Sequence, residues 1–325
     1  HPRELLERHG EAELLRPEFP VFECQGPDTI VNDHQLALLP VAYENARFFL
    51  WEKDRRATVR RIAHDFKPDI GISDYEYFVP KVCREFGLPC LSLDHQHMIT
   101  LYFRPLTPGQ FLSYLPIYLS IRLLFSNASH FAVISFFQTG NGSDTAVRRL
   151  LPPLLRTRVM ELEPSDEGHV LAYQGFSTFP AFFDFLKVIK RPVKVYGFQD
   201  NFRSGNLHFK GRSEDEFLKD LASCSYVVCG GGHTLMSESL FLGKPIISFP
   251  LVNLVEQHLN AFYLDRLGYG RCLATLSPRA VEVPAFESRL DHYRERISEV
   301  NFCGNAEIFS LLDRFIRHGT FDATP

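Results

Sequence analysis

Tyr226–Gly270 reads YVVCGGGHTLMSESLFLGKPIISFPLVNLVEQHLNAFYLDRLGYG, and its punctuation decides the fold class. Tyr226–Cys229 is a short, continuous apolar run, the pattern of a strand buried on both faces. Gly230-Gly231-Gly232 follows, and helical periodicity begins at once over Thr234–Leu242. A second apolar strand, Pro245–Phe249, leads to a second helix, Glu256–Leu267, which Gly268 stops. Strands alternating with helices through short connections predict a parallel sheet, and ligands on such sheets gather at the carboxyl ends of the strands. Three successive glycines let the backbone turn sharply and approach a ligand closely. The helix that starts near His233-Thr234 aims free N–H groups and the positive end of its dipole at that place, which favours phosphate. The Thr234 hydroxyl adds a donor, and Glu238, a turn further on, is placed to accept hydrogen bonds from ribose hydroxyls. The turn fits neither G-x-x-x-x-G-K-[ST] nor G-x-G-x-x-G, so P-loop ATPases, kinases and dinucleotide dehydrogenases are disfavoured. Tight packing alone also explains a glycine turn; His233 taken singly reads more often as a helix-start residue than as a catalyst, and Glu238 taken singly also reads as a solvated helix charge.

Outward from this stretch the alternation continues. His169–Tyr173, Val193–Tyr196 and the helices Thr178–Ile189 and Glu214–Ala222, the last with Ser213 as N-cap, extend the second half. In the first half, Ala42–His64 has helical spacing, Asp69–Ser73 is a short buried strand, Val79–Phe86 is a helix stopped by Gly87, and Cys90–Leu93 and Ala132–Ser135 are further strands. The acidic, turn-rich ELEPSDEG at 161–168 separates the halves, giving domains 1–162 and 163–325. The fold class is therefore α/β, two doubly wound Rossmann-like units facing a cleft, with the final helix at Gly304–His318 free to cross back to the first.

Composition narrows the function classes. The chain has 325 residues, 45% hydrophobic and 23% charged, with a formal net charge of −4, which is ordinary globular composition and gives no electrostatic reason for a nucleic-acid partner. Seven cysteines without a C-x-x-C pair make neither a disulfide framework nor a zinc ribbon, and point to reduced thiols in the cytoplasm. The opening HPRELLERHG is charged and is not a signal peptide. Phe111–Phe125, broken by Pro116 and Arg122, is too short to span a membrane, which limits membrane association to peripheral contact. Phe is unusually abundant at 30 residues, which suggests broad apolar cores or a surface for an apolar partner.

The succession G-G-G-H-T, S-E-S-L-F-L-G-K-P and P-L-x(4)-E-Q-x(2)-N-A resembles the donor-binding signature of GT-B nucleotide-sugar glycosyltransferases, the group that holds the peptidoglycan N-acetylglucosaminyltransferase and the UDP-glycosyltransferases. The resemblance implies that Gly230, Gly231, Gly232, His233 and Thr234 hold the diphosphate, Glu238 the ribose, and Glu256 and Gln257 the donor sugar's hydroxyls. It implies that Phe217 packs beside the base, although an ordinary core Phe is an equal reading. Gln174-Gly175-Phe176-Ser177, after the domain's first strand, departs from the commoner Gly-Gly-Ser form. The implied reaction is inverting transfer from a UDP-sugar to a hydroxyl acceptor. No metal and no cofactor beyond the donor are expected, since relatives commonly work without a divalent ion and no D-x-D motif is present.

The catalytic base is less defined. Many relatives carry it in a Gly-rich loop after the first strand, and residues 1–40 show no such loop, so either a first βαβ unit precedes this sequence or catalysis is arranged differently. Asp74 and the His95/His97 pair fall at predicted strand ends facing the cleft. Asp74 is preferred as proton acceptor or orienting group, while the Asp94–His97 cluster also reads as a hydrogen-bonded structural loop. The aromatic and aliphatic segment Arg104–Phe125 would suit a lipid-linked or aromatic acceptor. A UDP-GlcNAc 2-epimerase-like enzyme and a catalytically silent nucleotide-sugar-binding protein are the alternatives.

Overall fold

A computed structural model of the chain describes residues 38–103, 108–140, 142–173, 180–273 and 282–322, with short pieces between 20 and 36. The Gln174–Ser177 stretch lies outside the described residues.

The first half holds a parallel sheet in the order β3(Gly71–Ser73)-β4(Cys90–Asp94)-β5(His130–Ile134)-β6(Arg148–Leu151), preceded by a two-strand ladder of β1(Val31–Asn32) and β2(Gln35–Leu36). Around it lie α1(Leu38–Phe66), α2(Phe78–Phe86), α3(Met98–Leu101), α4(Pro108–Ser120) and, in the linker, α5(Thr157–Met160). The α2 helix starts where the Glu76 carboxylate accepts the N–H groups of Phe78 and Val79, and it ends at Gly87 in the left-handed conformation (φ 69°). Pro116 lies inside α4, which runs into a π-helical turn at Ile121–Phe125. Among the described residues no helix is long and apolar enough to cross a membrane.

The second half is a seven-stranded sheet ordered β13(Gly270–Cys272)-β12(Ile246–Ser248)-β11(Tyr226–Cys229)-β7(Val170–Tyr173)-β8(Val193–Tyr196)-β10(Leu207–Phe209)-β9(Phe202–Ser204). All its pairings are parallel except β9 with β10. Its helices are α6(Pro180–Lys187), α7(Glu214–Ser223), α8(His233–Phe241), α9(Val255–Leu267), α10(Glu282–Glu287) and α11(Leu290–Ser298). The Ser213 side chain accepts from Glu216 N–H and caps α7, and Gly268 at φ 76° ends α9. From β7 the chain winds outward to β8 on one side, then returns to β11 on the other. The topological switch point therefore falls between β7 and β11, directly beside the glycine turn.

The Phe-rich composition has a structural explanation here. Phe182, Phe185, Phe209, Phe249 and Phe286 fill one face of the second sheet in edge-on and tilted contacts. On the other face, a larger core runs from Met98, Ile121, Val133 and Phe137 of the first half to Val227, Met236, Leu240 and Tyr263 of the second. Phe137 stacks on Tyr263 with centroids 4.3 Å apart at 6°. The two sheets are thus joined by a continuous apolar floor beneath the cleft. The last helix, α12(Asn305–His318), packs Ile308, Leu311 and Phe315 against Leu91, Ala132 and Leu151 of the first sheet.

Candidate functional site

The carboxyl ends of β11 and β4 approach each other across the cleft, and each leads into a polar segment. On the β11 side, Gly231 is buried against α9: a Cβ placed there would meet Gln257 Cβ at 2.5 Å, its carbonyl oxygen at 2.5 Å and its Cα at 2.7 Å. Only glycine fits that approach. Gly232, the N-cap of α8, is exposed, and an added Cβ there would meet nothing within 4 Å. Thr234 is exposed beside it and His233 is buried. The turn therefore packs through its middle residue and opens to the cleft through its last.

Gln257 braces the turn: its Oε1 accepts from Gly231 N–H at 3.3 Å and Leu251 N–H at 2.9 Å. That leaves its NH₂ as the group able to face a sugar, a narrower part than the sequence suggests. Glu256 is half-buried, and Gln96 reaches across the cleft to donate to its Oε2 at 3.3 Å. Burial pushes the Glu256 carboxyl above its ordinary range, with the Asp94 charge adding and His95 and Gln96 opposing. Phe217 lies half-buried at the start of α7, edge-on to Tyr196 (5.1 Å) and to Tyr173 (6.1 Å). Tyr173, the partly exposed last residue of β7, is an aromatic member of this end of the sheet that the sequence reading did not single out.

On the β4 side, the structure separates the candidate bases. His97 is fully buried; its Nδ1 meets Asp94 Oδ2 at 2.8 Å and its Nε2 meets Ser126 Oγ at 3.2 Å. Both of its ring nitrogens have partners within the protein, the arrangement that the structural-loop reading of this segment expects. Burial works to raise the Asp94 carboxyl, but hydrogen bonds from His97 and Ser92 and the neighbouring ring outweigh it and hold it below its usual range.

His95 crosses between the halves. Its Nδ1 lies 2.8 Å from the Ile134 carbonyl and its Nε2 2.7 Å from Asn260 Oδ1, while Asn260 Nδ2 donates to the Gly231 carbonyl at 2.9 Å. Both ring nitrogens are engaged by oxygen atoms of the protein. The ring also stacks on His233 with centroids 4.0 Å apart. Burial, helped by His95, holds the His233 imidazole well below its ordinary pKa and therefore neutral. His95 thus ties the first half to the glycine turn.

Asp74 is the exposed one of the three, immediately past β3. Partial burial, with the Asp94 charge adding, raises its carboxyl. The next residue, Tyr75, has φ 48°, a left-handed conformation unusual for an aromatic residue, and its ring stacks on Phe125 at 4.3 Å. This strained, ring-anchored corner fixes the backbone from which Asp74 projects.

Glu238 lies on α8 and is buried. Both its oxygens are taken by Arg156 of the linker, at 2.7 and 2.8 Å. Nothing local in the sequence marks Arg156, which is 82 positions away.

Two Rossmann-like units over a cleft, with a glycine turn opening at the topological switch point, define the GT-B class of glycosyltransferases. The model of the family described as glycosyl transferase family 1 matches residues 5–290, and the chain belongs to that family. An uncharacterized glycosyltransferase of Methanosarcina acetivorans is 25% identical over 256 residues, which cover 71% of this chain and 66% of the relative. One of Methanosarcina mazei is 40% identical over 76 residues, 23% of this chain and 20% of that protein. The chain therefore spans less than two thirds of the length of either relative. Among solved structures, the glycotransferase of kitacinnamycin superposes with a TM-score of 0.63 at 15% identity, over 91% of this chain and 85% of the other. UGT2 of Phytolacca americana, complexed with UDP-2fluoro-glucose and pterostilbene, superposes with a TM-score of 0.57 at 15% identity, over 80% and 78%. These structural likenesses carry the fold.

Proposed function

We propose that the chain is an inverting glycosyltransferase that takes its sugar from a UDP-linked donor and delivers it to a hydroxyl acceptor. The observation that carries this reading is the glycine turn, closed against α9 at Gly231 and open to the cleft at Gly232, at the N-terminus of α8. A diphosphate seated there would receive N–H groups and the positive end of the helix dipole. Family membership and the UDP-sugar held by the Phytolacca americana protein support the same donor class.

In this reading the acceptor oxygen attacks the anomeric carbon, its proton passes to the Asp74 carboxylate, the bond from sugar to diphosphate breaks, and the nucleoside diphosphate leaves with the configuration inverted. The charge that accumulates on the leaving diphosphate is met by the α8 N-terminus and by a donated N–H of neutral His233, not by a metal ion. Glu256 and the Gln257 NH₂ contact the sugar hydroxyls. An acceptor with a lipid or aromatic portion would meet the exposed Tyr118, Leu119 and Leu123 of the first half.

A thermal-shift screen against UDP, TDP, GDP, ADP and NAD tests the donor class, because a ligand of the folded state raises its stability by mass action. A shift with UDP, followed by release of UDP from a UDP-sugar only when an acceptor is added, is the expected result. UDP-sugar converted to an isomer without any acceptor would instead select an epimerase.

A further inference from the structure

The donor reading gives Glu238 to the ribose, yet its carboxylate already has a partner of the same shape. Arg156 Nε donates to Oε1 at 2.7 Å and Nη2 to Oε2 at 2.8 Å, a two-pronged contact along one edge of the guanidinium. A vicinal diol offers the same thing: two adjacent donors for two carboxylate oxygens. The Glu238 side chain is 3% exposed, whereas that of Arg156 is 43% exposed. The guanidinium is the exposed partner of the pair, and a ribose diol that takes both Glu238 oxygens along that edge would replace the two Arg156 N–H groups.

The surroundings allow that exchange. Arg156 Nη1 also donates to Glu214 Oε1 at 2.6 Å, and Glu214, 48% exposed, is paired with Arg158 as well, so a guanidinium released from Glu238 keeps a counter-charge. The backbone beside Arg156 is held: Asn305 Oδ1 accepts from Leu155 N–H at 2.9 Å, and Asn305 Nδ2 donates to the Leu155 carbonyl at 2.8 Å.

Resting on the donor reading above, we propose that Arg156 is an internal competitor for the ribose subsite, occupying in the free protein the two Glu238 oxygens that the donor's diol takes over on binding. Arg156 thereby sets how strongly the site distinguishes ribose from a sugar lacking those hydroxyls: the stronger its hold on Glu238, the smaller the net advantage of the diol.

Titration calorimetry of the full chain with UDP and with 2′,3′-dideoxy-UDP tests this in wild type, Arg156→Lys and Arg156→Met. Lysine keeps the charge but lacks the two-pronged edge; methionine removes the charge and keeps an apolar stem. The preference for UDP over the dideoxy analogue is expected to rise by about tenfold in both variants, the worth of one charge-assisted hydrogen bond. If Arg156→Met does not fold, Arg156→Lys decides alone. An unchanged or smaller preference in folded variants overturns the proposal and makes Arg156 a support that holds Glu238 for the ribose. Wild type that binds none of UDP, GDP and ADP overturns the donor reading and this proposal together, so the two failures are distinguishable.

Discussion

The glycine turn after β11 and the Asp94–His97 segment after β4 occupy equivalent places, each at the carboxyl end of a parallel strand facing the cleft. They differ in what they leave free. The turn is built from backbone, and it opens to the cleft at Gly232. The other segment is built from side chains, and those of Asp94, His95 and His97 are all engaged by protein partners. Their meeting point, His95 stacked on His233 and bonded through Asn260 to the Gly231 carbonyl, makes the second segment a brace for the first. Strand-end histidines are thus not in themselves evidence of acid–base chemistry, and Asp74, the base in the proposed reaction, stands outside the brace.

The division is broken most directly at Asp74. Asp74→Asn is expected to lower kcat by about 10²–10⁴-fold, the range of a general base, while UDP binding stays within about twofold of wild type. Because the Asp74 carboxyl is raised above 3.8 by partial burial and by Asp94, the acidic limb of kcat/KM in wild type lies above that value, with activity lost as pH falls through it. Unchanged turnover in Asp74→Asn would remove the base assignment from Asp74.

The glycines sharpen the comparison next. Gly231→Ala drives a Cβ to 2.5 Å from Gln257 Cβ and its carbonyl oxygen, so α9 must shift; overpacking of this kind costs about 1–3 kcal/mol or more of stability. Gly232→Ala, with φ −67° and open space around it, is expected to fold as wild type and, on the donor reading proposed above, to lose UDP affinity because its methyl enters the space a diphosphate would fill. Urea denaturation reads the first and calorimetry the second. Equal loss of stability in both would mean the turn exists for packing alone.

His97→Asn tests the brace. Asp94 is held below its ordinary carboxyl value of 3.8 in the folded protein, so its contribution to stability is fully present above about pH 4 and is lost as pH falls through the lower, folded value. Removing His97 is expected to lower the melting temperature at pH 7 through about 1–3 kcal/mol of lost charge-assisted hydrogen bonding and to flatten the acid side of the stability profile. A variant with wild-type stability and greatly reduced turnover would restore His97 to the chemistry.

The sequence made one of these regions legible and not the other, for a physical reason. Glycine spacing, strand length and helix stops are local, so β11, the turn, α8, β12 and α9 could be read within a residue or so of their ends. The β6 strand, RRLL, was not legible because arginines at a sheet edge do not pattern as a buried strand, and the short β9–β10 hairpin lacks a sustained alternation. Whether a side chain is free is not local at all. His95 meets its Asn260 partner 165 positions away, and Gln96 meets Glu256 at 160. The residue types allow both a base and a brace, and the long-range partners that bear on the choice leave no local signal.

The smallest expected effect concerns Phe217, where packing and binding readings were equally open. The ring is half-buried, edge-on to Tyr196, whose hydroxyl donates to Asp220 at 2.6 Å, and edge-on to the partly exposed Tyr173 beside the switch point. If the base packs on this aromatic corner, Phe217→Leu removes one ring contact of about 0.5–1.5 kcal/mol, or roughly two- to tenfold in UDP affinity. A pyrophosphate or sugar-phosphate ligand, which lacks the base, should be unaffected by the change. Leucine keeps most of the apolar volume, so the melting temperature should fall little. The opposite pair of results, a clear loss of stability with UDP affinity intact, would place Phe217 in the core of the second sheet and leave Tyr173 as the aromatic residue beside the base.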